Sequence, residues 1–374
     1  MKLISHYLFL IFSISVLLFF SGCTHSDNLH LDKKANKVLN EKPKKWYRGN
    51  THTHTVLCGH ADSSPKNVTA WYHDHGYNFL ILSEHNKFID PKTVEMPVNK
   101  RNDFILIPGV EITGKKYVHT TGMNVKNVVP WKYNHEKKSA IIQNHVNGAI
   151  EAGGQAILNH PNWHYSIKDN HISPVKKLHM FELFNGHPHV NNTGDHKHES
   201  TEKMWDQLLS KGMIMYGVSS DDAHHFKTIH QNKSNPGRGW VMVQSEKLNP
   251  EAITLAMLQG NFYASNGVFL KTCKRGPGMY VLEIDVNQTQ KELSASPLLR
   301  GKLIDKKKGG YRIEFIGPNG VALKTVNDIV GRFKINKSIP YVRAKVIYTR
   351  THPKLNKSEE YYAWGQPYFT DFKN

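Results

Sequence analysis

Apolar residues come in short, nearly continuous runs over the first two thirds of the chain. They fill residues 77–82, 104–110, 155–158, 179–184 and 213–218. Runs of this kind fit strands buried on both faces of a parallel sheet. Between them the spacing turns helical. Residues 63–75 open on Ser64-Pro65 and close at Gly76, with proline at an early helical position. Residues 139–152 end at Gly153-Gly154, residues 201–210 put Met204, Leu208 and Leu209 on one side, and residues 249–260 open on Asn249-Pro250. Residues 117–125 read as a further extended segment. This alternation predicts an α/β domain with a parallel sheet over residues 46–260. Past residue 260 the texture changes to short strands at 280–286, 311–316, 341–348 and 361–369, with a turn at Gly317-Pro318-Asn319-Gly320. That pattern predicts a small antiparallel β domain over 261–374.

Polar residues gather at the C-terminal ends of the apolar runs. Ser83-Glu84-His85-Asn86 follows the first, Glu111 closes the second, and Asn159-His160 follows the third. Glu182 and Asn185 end the fourth, and Ser219-Ser220-Asp221-Asp222-Ala223-His224-His225 follows the last. In α/β barrels the active site forms at that end, from several strands together. Upstream, His52 and His54 are two apart, so on a strand both imidazoles point to one side. His60 follows past a glycine, and His119 lies in the extended segment. Each residue alone has an ordinary role: Asp222 as a helix cap, His160 in a turn, Glu111 at an exposed strand end. Falling together at strand ends, they argue for one convergent site. Imidazole with carboxylate suits zinc, manganese or iron. The donors exceed one ion's shell, so two or three divalent ions are expected, with Glu111 as a bridge. Glu182 and Asn185 are expected to orient ligand imidazoles. His187 and His225 are candidate proton donors to a leaving group. Arg238, between two glycines, is either a phosphate contact through its planar fork or a surface turn residue. The tract carrying His187, His189, His196 and His198 is expected to be a solvated loop, and Trp163 either walls the pocket or simply packs.

Residues 1–22 read as a secretory signal, with an apolar run too short for a membrane span of ~20 residues. Ser21-Gly22-Cys23 resembles a bacterial lipobox, which predicts a lipid anchor at Cys23, a polar tether over 23–45, and a periplasmic or cell-surface location. Of the chain's 374 residues, 49 are Lys or Arg and 31 Asp or Glu, a net charge of +18 that favours a small anionic substrate. No helix-turn-helix, zinc-finger or RNA-recognition signature appears, so nucleic acid is not favoured. With Cys23 lipidated, Cys58 and Cys273 remain, to pair in an oxidising compartment or stay free; Cys58 sits inside the first motif, so a weak role at the metal or beside its ligands is also open. Oligomeric state is not legible.

His52-Thr53-His54, Glu84-His85-Asn86, Gly109-Val110-Glu111, Asn159-His160-Pro161 and Asp222-Ala223-His224, in that order over about residues 47–260, resemble the PHP family, named for polymerase and histidinol phosphatase. Residues 49–55 (Gly-Asn-Thr-His-Thr-His-Thr), 76–80 (Gly-Tyr-Asn-Phe-Leu) and 262–267 (Phe-Tyr-Ala-Ser-Asn-Gly) are similar to its secreted branch related to carbaryl-type ester hydrolases. So are Tyr-Val-Arg-Ala-Lys at 341–345 and Ala-Trp-Gly-Gln-Pro at 363–367. The resemblance implies a distorted (β/α)7 barrel and metal-dependent phosphoesterase chemistry by a metal-activated water. It implies that His52 and His54 bind one ion with Glu111 and Asp222. Glu111 would bridge to a second ion held by His119 and His160, and His60, His85 and His224 would form a third site. Three functions stay open: phosphoester hydrolysis, which is favoured; carboxylic or carbamate ester hydrolysis on the same cluster; and a non-catalytic surface lipoprotein that binds glycan or metal.

Overall fold

Local capping chemistry sets the helix boundaries in the computed structural model, which describes residues 44–97, 101–131, 136–296 and 301–370. The expected signal peptide, the lipid anchor at Cys23 and nearly all of the tether lie outside the described residues. Ser64 Oγ accepts from Asn67 N, 3.3 Å away, at the start of α1 (Pro65–Asp74). Helix α2 (Lys138–Glu151) and the short α3 (Asp169–Ile172) follow. Ser200 caps α4 (Thr201–Ser210) and Asn249 caps α5 (Pro250–Leu258), each through its side-chain oxygen. A last helix, α6 (Val286–Ala295), falls in the C-terminal region, which the sequence predicts to be all strand; Asp285 caps it. No helix among the described residues is long and apolar enough to cross a membrane.

The first strands are β1 (Lys45–Asn50), β2 (Phe79–Leu80), β3 (Ile105–Leu106), β4 (Gly109–Thr113), β5 (His119–Met123) and β6 (Gln155–Leu158). Next come β7 (Met180–Asn185), β8 (Tyr216–Ser220), β9 (Trp240–Ser245), β10 (Phe262–Ser265), β11 (Leu270–Gly276) and β12 (Met279–Ile284). The last are β13 (Lys302–Ile304), β14 (Gly310–Ile316), β15 (Ala322–Val326), β16 (Val330–Lys334), β17 (Tyr341–Thr351) and β18 (Ser358–Phe369). They form a 10-stranded sheet, a 5-stranded sheet ordered β4-β5-β6-β7-β8, and a 3-stranded sheet ordered β11-β12-β16.

The fold is mixed α/β and rich in sheet; the strand ladders do not trace one closed (β/α)7 barrel. The expected all-parallel sheet is corrected at β5, which runs antiparallel to both β4 and β6. The cause is chain length. Only a turn at Lys115–Tyr117 joins β4 to β5, and a parallel crossover needs about a dozen residues or more. Strands β6, β7 and β8 are parallel, as are β1, β2 and β3. Past residue 260 the strands pair antiparallel, and β10 sits between β9 and β18. One sheet therefore runs unbroken from β1 into the C-terminal strands.

Packing follows the apolar runs. Ile141, Ile142 and Val146 of α2 meet Val110, Ile112 and Leu158 in one core, which Trp205 and Leu208 of α4 also enter. Full burial of such side chains contributes about 1.5–3 kcal/mol each. Two buried arginines tie the C-terminal strands to the rest. Arg48 lies over the rings of Tyr77 and Trp240, at 4.2 and 4.0 Å, and pairs with Glu292 of α6 at 2.9 Å. Arg343 of β17 grips Asp206 of α4 with two bonds of 2.6 Å.

His145, buried in α2 with Nδ1 3.2 Å from Thr120 Oγ1, sets up a pH prediction. Burial, reinforced by His119, pushes its pKa down to about 3 from 6.5. The native state thus binds its proton less readily than the unfolded chain. Its contribution is whole above pH 6.5 and is lost as pH falls towards 3. His145→Gln should therefore lose about 2–3 kcal/mol less stability than the parent between pH 7 and about pH 4.5. Urea denaturation at both pH values measures this, and equal slopes for the two proteins would refute it.

Candidate metal centre

Two isolated parallel bridges, Thr53–Ala223 and His85–Glu111, join the sheets where the predicted ligands fall. Past β1 the chain stays extended and delivers His52 and His54 into full burial. Asp222 N donates to His52 O at 3.0 Å, and His54 N to Ala223 O at 2.9 Å, which registers the last motif against the first. The β2 segment runs on to His85 beside Glu111 of β4; β5 opens on His119, β6 leads to His160, and β7 carries Glu182 and Asn185.

Glu111 is the hub. Its Oε1 lies 3.2 Å from His119 Nδ1 and 3.3 Å from both His160 Nε2 and His52 Nε2. Its Oε2 lies 2.7 Å from His85 Nδ1 and 3.5 Å from His54 Nε2. Asn159 Nδ2 donates to Oε1 at 2.9 Å. Asp222 Oδ1 stands 3.4 Å from His52 Nε2 and 3.3 Å from His54 Nε2. Burial opposes ionisation of Glu111 and Asp222, but the surrounding imidazoles hold both carboxyls well below the usual range. His52 mirrors this: burial lowers its pKa, and the Asp222, Glu111 and Glu182 carboxylates lift it well above the usual value. His54 goes the other way, lowered by burial and by His224.

The hydrogen bonds show that these residues fit a metal. Glu182 Oε1 sits 2.8 Å from His52 Nδ1, so a neutral His52 carries its proton there and turns the Nε2 lone pair inward. That lone pair faces His54 Nε2 at 3.1 Å and the Glu111 and Asp222 carboxylates. Nitrogen lone pairs and carboxylate oxygens repel at this range unless a cation, proton or metal, lies among them. His224 repeats the logic. Nδ1 faces the Asp222 carbonyl at 2.9 Å, leaving Nε2 buried with no hydrogen-bond partner. Donor atoms of His52, His54 and Asp222 lie within 4.8 Å of one another, as do those of His52, Glu111 and His160, and those of His54, His85 and His224. Two of these residues have left-handed backbones, His160 at φ 21° and Asp222 at φ 50°. Such strain costs about 1–3 kcal/mol per residue and clusters at functional sites.

Glu182 does more than hold His52. Its Oε2 accepts from His160 N at 2.7 Å and Asn185 Nδ2 at 2.8 Å, and Ser220 Oγ donates to Oε1. Asn185 Nδ2 also reaches Asp222 Oδ2 at 3.3 Å. Glu182→Gln should weaken metal affinity by about 10–100-fold, read by competition against a chromogenic chelator. Unchanged affinity would show that Glu182 does not set the His52 tautomer.

A cavity of about 230 Å³ opens over the cluster. His187, His189 and Trp163 line it, with His225 and Ser234 on another side. The solvated-loop expectation fails for the half-buried His187, while His189 is exposed at the cavity edge and His196 is exposed. Trp163 does wall the cavity, its ring stacked 6.2 Å from His189. Burial pushes the His187 pKa down to about 4 and lowers that of His225, where Lys233 adds to the effect. Burial thus favours the uncharged form of His187. Arg238 also needs correction as a phosphate contact. It is buried, with Nη1 donating to Gly186 O at 3.2 Å and Nη2 to His230 O at 3.0 Å. It builds the loop behind the cavity instead of facing it.

His60 stands exposed at the rim, its ring 4.6 Å from His224 and 5.3 Å from His85. Cys58 and Cys273 are both free thiols. Two buried acids escaped sequence reasoning. Asp221 accepts from the backbone of Gly237, Arg238 and Gly239 and from Tyr72 Oη, and Glu84 accepts from Thr55 N at 2.6 Å. The sequence places both at strand ends beside the predicted ligands Asp222 and His85 but gives them no role of their own.

Neither a protein-family model nor a curated protein matches the chain. Among solved structures it is similar to a two-domain protein from Bacteroides vulgatus containing a predicted PHP-like metal-dependent phosphoesterase. Identity is 14% and the TM-score 0.44, over 85% of this chain and 95% of that one. So distant a likeness assigns neither residues nor reaction.

Proposed function

We propose that the chain is a metal-dependent ester hydrolase, with small phosphoesters as favoured substrates. The observation that carries this is the Glu111 carboxylate, which five imidazoles approach from four separate segments while Asp222 closes the same cluster. His52, His54, Glu111 and Asp222 would hold one divalent ion, and Glu111, His119 and His160 a second. His224 and His85, with His54 or His60, suit a third. Ions held there supply Lewis-acid polarisation of an ester and acidify water towards neutrality. The chain's own contribution is positioning. Glu182 sets the His52 tautomer, Asn159 and Asn185 steady the carboxylates, and Trp163 screens one wall from solvent. The bridges at Thr53–Ala223 and His85–Glu111 support reading β1, β2 and β4 to β8 as a distorted barrel. Export and lipidation at Cys23 are proposed on sequence grounds.

One observation favours a second reading, hydrolysis of uncharged carboxylic or carbamate esters. No Lys or Arg is among the described residues that line the cavity, so any anionic charge there would be met by the metal ions alone. Elemental analysis of the purified chain, coupled to rates on an aryl phosphate and an aryl acetate with and without chelator, tests both. The expected result is bound divalent metal and chelator-sensitive turnover, faster on the phosphate. Faster turnover on the acetate selects the second reading. A chain that retains no metal after reconstitution with zinc or manganese, or whose turnover ignores chelation, removes both.

A further inference from the structure

The loop between the first two histidines and His60 carries a sulfur that the ligand set above leaves unused. Thr55 Oγ1 accepts from Leu57 N at 3.3 Å and caps the short turn Val56–Cys58. Gly59 follows at φ 88°, a backbone that side chains rarely adopt. This kink sets Cys58 and His60 on either side of one glycine.

We propose that Cys58 is a thiolate ligand at the mouth of the cluster, joining His60 and His224 to hold a thiophilic divalent cation such as zinc. The proposal rests on the metal-dependent reading above and adds the residue that sets ion preference at the outermost position. The sulfur, a His60 nitrogen and a His224 nitrogen lie within 4.8 Å of one another. Zinc bonds of about 2.3 Å to sulfur and 2.0–2.1 Å to nitrogen would draw these atoms closer together around the ion. Each ring keeps one lone pair for a cation. His60 Nδ1 faces the Cys58 carbonyl at 3.3 Å and His224 Nδ1 the Asp222 carbonyl at 2.9 Å. A carbonyl can only accept, so each Nδ1 carries the hydrogen and each Nε2 keeps its lone pair.

A second observation points to a cation beside this sulfur. His224 Nε2, His54 Nδ1 and Glu84 Oε2 are buried polar atoms with no hydrogen-bond partner. Donor atoms of His54 and Glu84 form another group with Cys58, again within 4.8 Å. Orphaned buried acceptors in a native fold call for an explanation such as an ion; of these atoms His224 Nε2 and Glu84 Oε2 are acceptors, and both residues share a donor group with this thiol. Cys58 is unpaired, so its sulfur is available. Binding would release the thiol proton, and a soft ligand favours zinc or cobalt over manganese or magnesium.

The test uses the full chain, stripped of metal under reducing conditions and titrated with cobalt(II). The expected spectrum has visible d–d bands from the histidine and carboxylate ligands and a sulfur-to-cobalt charge-transfer band in the near ultraviolet. Cys58→Ser should lose the charge-transfer band and keep d–d bands, while Cys273→Ser keeps both. Zinc should also protect Cys58 of the unmutated chain from iodoacetamide, read by peptide mass mapping, which needs no variant to fold. Visible bands without a charge-transfer band, with Cys58 alkylated equally with and without zinc, overturn the proposal and leave the hydrolase reading standing. The absence of all cobalt bands overturns both.

Discussion

Glu111→Gln is expected to cut metal-dependent turnover by roughly a thousandfold or more, a loss of about 4 kcal/mol or more of transition-state stabilisation. The substitution keeps shape and burial and removes one negative charge and one acceptor oxygen. Its effect is large because that carboxylate is shared. His119, His160 and His52 meet Oε1, and His85 meets Oε2. The amide that replaces it can offer a metal only a neutral oxygen. Metal content should fall with turnover, and the raised pKa values of His52, His85 and His160, which draw on Glu111, should relax downward. Steady-state kinetics and elemental analysis of the same preparation measure both effects. A variant with full metal content and near-parental turnover would show that Glu111 is not the bridging group.

Arg343→Ala is expected to destabilise the fold by about 3–5 kcal/mol, because it strands a buried carboxylate. Arg343 Nε and Nη2 each lie 2.6 Å from an oxygen of Asp206, and both side chains are almost wholly buried. Glu202, one turn earlier on α4, pairs with Lys345 at 2.6 Å and accepts from Trp364 Nε1 at 3.1 Å. Together these contacts clamp β17 and β18 onto α4. Replacing both partners with apolar residues, Arg343→Met with Asp206→Leu, should recover most of the loss, since no unpaired charge remains. Urea denaturation of the single and double variants supplies the comparison. A single-variant cost under about 1 kcal/mol would mean that water reaches Asp206 and solvates it.

Several features were legible residue by residue. Ser64-Pro65 and Asn249-Pro250 announced α1 and α5 because a cap is a contact within one turn of chain. The end placement of His160 and Asp222 was legible because an apolar run records burial, and a polar residue where it stops records the rim; Glu111 instead falls in the middle of β4, because the run at 104–110 splits into two strands. The parallel sheet expected of the domain failed at β5, read only as extended, because extended chain carries no sign of its partner's direction. Only the short link at Lys115–Tyr117 imposed it. The roles of Arg238 and His187 stayed open in sequence for a related reason. A guanidinium between glycines looks the same in sequence whether its fork meets a substrate or the carbonyls of Gly186 and His230. An imidazole in a polar tract gives no hint that burial lowers its pKa to about 4.

The sequence by itself determined which side chains were available and that they would sit where buried strands end, since burial pattern and capping act over a few residues. Tertiary structure alone decided their partners: Glu111 at the centre of five imidazoles, Glu182 behind His52, Cys58 beside His224. Those pairings depend on strand register and ring orientation across segments tens to more than a hundred residues apart. Contacts of 2.7–3.5 Å are set by the assembled sheets, and no local pattern in the chain encodes them.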